Sequence, residues 1–116
     1  TGTNFSESIF NHTTIRDCKG DYVIFSMSKL RNVSFNQCFL RGGGLDNCQF
    51  TNVEFEHCNL VEAELHRTSL KGIDLTSSEI AGIRIGSIPG GELKGATVTS
   101  LQALDIARML GITIKD

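Results

Sequence analysis

A large apolar residue recurs at every fifth position of this chain. Phe5, Phe10, Ile15, Phe25, Leu30, Phe35, Leu40, Leu45, Phe50, Phe55, Leu60, Leu65, Leu70, Leu75, Ile80 and Ile85 hold one phase, and Gly20 is the only break. An α-helix repeats every ~3.6 residues and a flat strand every two, so neither keeps a five-residue phase on one face. A second phase runs two residues earlier, through Thr3, Ser8, Thr13, Cys18, Val23, Ser28, Val33, Cys38, Gly43, Cys48, Val53, Cys58, Ala63, Thr68, Ile73, Ser78 and Ile83. These residues are small or β-branched, and the other three positions of each unit are mostly polar. Each unit therefore turns one large and one small side chain inward and shows the rest to water. A period this short, sustained this long, marks a repeat architecture.

Units such as Ala63-Glu64-Leu65-His66-Arg67, Cys58-Asn59-Leu60-Val61-Glu62 and Thr68-Ser69-Leu70-Lys71-Gly72 resemble the pentapeptide-repeat family over residues 3–87. Gly20 at a central position, the Gly42-Gly43-Gly44 run and the scarcity of Asp or Asn before the central residue depart from its pattern. The resemblance implies an all-β solenoid, a right-handed quadrilateral β-helix with four units per coil. Seventeen units make about four coils, a rod of roughly 20 Å at the spacing of paired strands. Residues 20 apart should then stack, giving the columns Phe5/Phe25/Leu45/Leu65/Ile85, Phe10/Leu30/Phe50/Leu70, Ile15/Phe35/Phe55/Leu75 and Gly20/Leu40/Leu60/Ile80. Phe lies over Phe in two of them, which suits offset ring stacking.

The phase breaks after Ile85. Gly86-Ser87-Ile88-Pro89-Gly90-Gly91 reads as a loop over 86–91, and the period resumes, shifted by three, at Leu93 and Val98. Residues 99–110 read as a helix: Thr99 and Gln102 have the spacing of a capping box and Gly111 suits the position after its end. Ile112-Thr113-Ile114 alternates like a short strand. The expected organisation is a repeat β-helix over 1–98 and a cap or dimerisation element over 99–116. A coil end exposes unpaired backbone and apolar side chains and must be covered. The helix is apolar around much of its circumference, so one stripe can cap the last coil and leave another for a second subunit. Thr1 rather than Met opens the chain and no comparable cap precedes it, which points to a start truncated from a longer rod.

Composition excludes several classes. Apolar residues make up 40% and net charge is only -2, which does not fit a disordered chain. No segment has the length of a membrane span or the layout of a secretion signal. No basic run would neutralise a row of phosphates, so direct nucleic-acid binding is not expected. Cys18, Cys38, Cys48 and Cys58 all occupy the small inward phase, three of them in one column. Parallel inward side chains suit a disulfide poorly, and sulfurs in a line do not surround a metal. Buried free thiols acting as small apolar packers fit better than a bridge or a metal site, and they favour a reducing cytoplasm. His12, His57 and His66 fall at outward positions, with no nucleophile held beside a base. No enzyme, cofactor or metal is expected. The Gly42–Gly44 run lacks the Lys-Ser/Thr of a phosphate loop, and instead relaxes a corner or admits something close to the backbone.

Charge separates by side. The side centred on Ile15, Phe35, Phe55 and Leu75 shows Asp17, Glu54, Glu56 and Asp74, offset by Arg16 alone. The next side adds Asp21, Glu62 and Glu79 against Lys19 and Arg41, and an opposite side carries Lys29, Arg31 and Lys71. An acidic flank is either an ordinary solvated surface or a footprint for a basic partner. Tyr22, Phe39 and Val61 could form a small apolar contact patch on the fourth side. Val98-Thr99-Ser100-Leu101-Gln102-Ala103 and Leu110-Gly111-Ile112 resemble the C-terminal end of the quinolone-resistance pentapeptide proteins. That resemblance implies a homodimer through the terminal helix, with Leu101, Leu104, Ala107 and Leu110 as dimer or cap residues. It further implies an acidic rod that mimics duplex DNA and binds DNA gyrase or topoisomerase IV, with Asp17, Glu54, Glu56, Asp74, Glu62 and Glu79 as candidate partner-binding residues. The alternative expectation is a scaffold module that binds an unrelated protein through its flat sides.

Overall fold

Parallel pairing at a 20-residue offset organises the computed structural model, which describes residues 3–86 and 91–115. Strands β1 (Ile9–Arg16), β2 (Lys29–Asn36) and β3 (Gln49–Glu56) form one parallel sheet in that order. Phe10 lies beside Leu30 and then Phe50; Ile15 lies beside Phe35 and then Phe55. The same offset recurs in single bridges along Asn4, Ile24, Gly44, Glu64 and Arg84, and along Lys19, Phe39, Asn59 and Glu79. Two of the four expected columns keep this register throughout their bridged stretch, and the other two keep it as far as Phe50 and Phe55. Phe5 and Phe25 stack at 5.4 Å, and Phe35 and Phe55 at 5.1 Å with their planes 7° apart.

The two inward phases make the core. Leu30, Phe35, Leu40, Leu45, Phe55, Leu60, Leu65, Leu70, Leu75 and Ile80 are almost fully buried, each side chain contributing about 1.5–3 kcal/mol by leaving water. The small phase does more than pack. Its Ser28, Cys48, Cys58 and Ser78 side chains donate to the carbonyls of Phe5, Phe25, Phe35 and Phe55, each 23 residues earlier. Thr68 does the same to Leu45, and its hydroxyl oxygen accepts from Cys48 N–H at 3.1 Å. The four cysteines are free thiols, and burial pushes the Cys58 thiol up to about 11. Calling them apolar packers therefore understates them: Cys48 and Cys58 are weak donors that tie one coil to another.

Corners have their own requirement. Two residues after the central position the backbone enters the left-handed region at every unit from Phe5 to Leu70, as at Met27 (φ 61°), Asn47 (54°), Glu62 (58°) and Arg67 (60°). Around half the coil this closes a turn of the type that needs a positive φ at its third residue, with Ser28 N–H bonded to Phe25 O and Ala63 N–H to Leu60 O. L-residues adopt this conformation at a cost. Gly42 (φ 64°) avoids it and also leaves room for the Tyr22 ring, which a Cβ at Gly42 would meet at 2.5 Å. Both expectations for the glycine run are met at that residue.

Beyond Ile85 the register shifts as expected: Leu70 N–H reaches Glu92 O, Leu75 N–H reaches Thr97 O, and Leu93, Ala96 and Val98 pack on the core. Residues 87–90 of the expected loop lie outside the described residues. Helix α1 (Ser100–Met109) starts at Thr99 with both halves of the capping box formed. Gln102 then covers the end of the coil stack. It is buried, and its Nε2 donates to Leu75 O at 2.6 Å and Ser78 O at 2.8 Å. Ile106 and Met109 pack beside it on the core. Leu101, Leu104 and Leu110 face outward with 76%, 37% and 40% exposure, and Ala107 is half-buried. The capping stripe is thus Gln102, Ile106 and Met109, while Leu101, Leu104 and Leu110, three of the four residues expected to cap or dimerise, make the uncovered stripe. No strand forms at Ile112–Ile114: the segment finds no neighbouring edge, and Ile112 N–H instead bonds Ala107 O at the helix end.

Changing Gln102 to Ala leaves the carbonyls of Leu75 and Ser78 without these donors. The expected loss is about 1–3 kcal/mol of stability, read from urea unfolding; an unchanged midpoint contradicts the capping role.

Candidate functional site

A groove of about 480 Å³ runs between β3 and residues 71–77. Glu54, Glu56 and His57 line one bank, and Lys71, Asp74 and Thr76 the other. β3 brings Glu54 and Glu56 to the surface because residues alternate along a strand and Phe55 between them points inward. Asp74 accepts from the Thr76 hydroxyl at 2.6 Å and from its N–H at 2.8 Å, and these bonds hold its carboxyl below the usual carboxylate range. Glu56 accepts from the Asn36 amide at 3.2 Å.

The six candidate acids do not converge. Glu54, Glu56 and Asp74 share the groove. Asp17 sits at a separate hollow with Lys19, Gln37, Phe39 and His57. Glu62 is paired with Arg41 at 3.7 Å, and Glu79 bridges to Asn59 on that same side. The basic residues are also placed differently from expectation. Lys71 lines the acidic groove itself, and Lys29 and Arg31 lie on β2, which continues around a corner at Asn32 to Ser34 and Asn36. One uninterrupted strand spans both sides, so the basic side adjoins the acidic one. Tyr22 and Phe39 are exposed and Val61 half-buried. Among the described residues, no group of three His, Cys, Asp or Glu is gathered to hold a metal, and no helix is long and apolar enough to cross a membrane.

Residues 1–65 match the family described as the pentapeptide repeat region. The chain belongs to the pentapeptide-repeat family. Solved structures to which the chain is similar include full-length QnrB1, a plasmid-mediated fluoroquinolone resistance protein. It is 16% identical, with 94% of this chain and 73% of that one covered at a TM-score of 0.41. A pentapeptide repeat protein, Rfr23, from the cyanobacterium Cyanothece 51142 is 14% identical, with 83% and 88% covered at a TM-score of 0.31. No curated protein matches the chain.

A second feature of this repeat chain escaped the sequence reading. Glu92 is buried, and its Oε2 accepts from Gly86 N–H at 2.7 Å and Arg67 N–H at 3.1 Å. In the regular coil a corner N–H is met by the main chain of the next coil, as Asn47 is by His66 O. After the phase break the Glu92 carboxylate takes over that acceptor role at Arg67. No sequence signal marks this, because Glu92 sits outside the five-residue phase.

Burial by itself raises the Glu92 pKa, but the N–H groups of Arg67 and Gly86, with His66 nearby, outweigh it and hold the carboxyl below 4.5. A lowered folded-state value gives stability that is present above about pH 4.5 and is lost as pH falls through that lower value. Thermal midpoints should therefore drop on acidification more steeply in the wild type than in Glu92→Gln; parallel curves contradict the assignment.

Proposed function

We propose that this is a non-enzymatic, protein-binding β-helix of the bacterial cytoplasm, a DNA mimic that binds DNA gyrase or topoisomerase IV and protects it against quinolones. A closed, right-handed, four-sided solenoid is the form proposed for the rod; pairing at a 20-residue offset on successive stretches of each coil supports it. The observation that carries the functional reading is the grouping of Glu54, Glu56 and Asp74 on the banks of one surface groove. Carboxylates fixed on paired backbone offer a basic protein surface the charge sign of a phosphate row. Dimerisation through the uncovered stripe of α1 completes the reading, since Leu101, Leu104 and Leu110 are exposed together with Ile112.

A second reading rests on Tyr22 and Phe39, exposed by 57% and 48% on another side of the chain. Exposed aromatic residues suit a protein contact with no DNA-like character, as in a scaffold module with an unrelated partner.

Gyrase supercoiling in the presence of a quinolone separates the two. The topoisomerase reading expects the protein to relieve inhibition, and expects Glu54→Lys, Glu56→Lys and Asp74→Lys together to abolish the effect. No relief by the wild type overturns it. For the dimer, sedimentation should give twice the chain mass for the wild type and the chain mass for Leu101→Asp; a monomeric wild type removes the claim.

A further inference from the structure

Backbone pairing between coils follows a rule, and apart from the phase break after Ile85 it fails along one stretch. A residue at the central phase donates its N–H to the carbonyl 19 residues ahead: Leu40 to Asn59, Leu45 to Glu64, Leu60 to Glu79 and Leu65 to Arg84, at 2.7–2.8 Å. Corner residues obey the same rule, with Gln37 donating to Glu56, Asn47 to His66 and Glu62 to Ala81. Applied to β3, it requires Phe50 to reach Ser69, Asn52 to reach Lys71 and Phe55 to reach Asp74. None of these bonds forms. The return bonds are missing too: Glu64 N–H and Glu79 N–H donate to Gly43 O and Cys58 O, but Ser69 and Asp74 make no such bond to Cys48 and Val53. His57 N–H is met by the Ser77 hydroxyl instead of main chain.

β3 is accordingly the edge of the sheet, paired to β2 on one flank alone. The opening is one-sided, because elsewhere the same two coils remain bonded through Leu60, Glu62, Leu65, Glu79 and Arg84. Side-chain burial follows the opening at the Phe50 end, while Phe55 stays 2% exposed. Phe50 is only half-buried, while Leu30 and Leu70, one coil before and after it, are each 1% exposed. The groove described above is this opening.

An unpaired strand edge is a template for another strand, and extended peptides dock on such edges through main-chain hydrogen bonds. Charge decides which peptide. Three carboxylates, Glu54, Glu56 and Asp74, face one cation, Lys71, so the groove favours a basic segment and repels an acidic one. We propose that the free edge of β3 captures a short extended peptide carrying Lys or Arg at alternate positions, its main chain pairing with Phe50, Asn52 and Phe55 and its cations meeting Glu54, Glu56 and Asp74. This rests on the reading of those three acids as a protein-binding side, and it replaces a purely electrostatic footprint with strand addition.

The test uses a fluorescein-labelled Lys-Val-Lys-Val-Lys-Val-Lys peptide and its Glu-Val counterpart. Anisotropy should show saturable binding of the basic peptide, none of the acidic one, and at least tenfold weaker binding to the combined Glu54→Gln, Glu56→Gln, Asp74→Asn protein. Intermolecular NOEs should connect the basic peptide to the amide protons of Phe50, Asn52 and Phe55. Absence of binding, equal binding to the neutralised protein, or NOEs confined to other surfaces each overturn the proposal. Gyrase assays on the same samples keep the two claims apart: peptide capture without relief of quinolone inhibition sinks only the topoisomerase reading, and relief without capture sinks only strand addition.

Discussion

Inter-coil hydrogen bonding at a constant 20-residue offset is the constraint from which the rest of this fold follows. Each main-chain N–H that points along the stack needs a carbonyl directly over it, so every coil must contain the same number of residues and turn at the same places. The left-handed corner two residues after the central position, present in every unit from Phe5 to Leu70, supplies those turns. Once they are in place, large side chains stack on large ones and the ladder from Leu30 to Ile80 is buried. The small phase is constrained just as tightly, because Ser28, Cys48, Cys58, Thr68 and Ser78 must be short enough to fit and still donate to a carbonyl of another coil.

Where the offset fails, a side chain usually takes the place of main chain. Glu92 accepts from Arg67 and Gly86 after the phase break, Gln102 donates to Leu75 and Ser78 at the end of the stack, and Ser77 accepts from His57. Buried polar groups left without partners are costly, so substitutions of this kind are expected wherever a repeat is interrupted. The outer edge of β3 is the exception. It receives one such bond, at His57, and leaves Phe50, Asn52 and Phe55 open beside three carboxylates. That combination of free backbone and fixed charge is why a peptide partner, rather than solvent alone, suits the groove.

Much of the fold is legible in the sequence because its determinants are local. The central phase predicts the columns, the shift of three residues predicts where Leu93 and Val98 rejoin the core, and the Thr99–Gln102 spacing predicts the helix start. The groove is not legible, since Phe50 and Leu70 keep perfect phase although the main chains beside them are unpaired; spacing between coils leaves no mark in a one-dimensional pattern. Grouping acids by side was likewise too coarse. It separated Lys71 from Glu54 and Asp74, which share a groove, although it did set Glu62 against Arg41, its ion-pair partner. On α1 the sequence leaves Leu101, Leu104, Ala107 and Leu110 as cap or dimer residues, whereas Ile106 and Met109 pack on the core beside Gln102, because the coil end presents carbonyls that need a donor as well as apolar cover.

Native-state amide hydrogen exchange tests the open edge most directly, because it reads each N–H on its own. In the free protein, Leu40, Leu60 and Leu65, bonded to the next coil at 2.7–2.8 Å, should exchange slowly and together. Phe50, Asn52 and Phe55 should exchange at least about tenfold faster, as unbonded groups do. Equal protection at all six amides would mean that β3 is paired like every other stretch of the rod, and would contradict both the groove and the peptide site built on it.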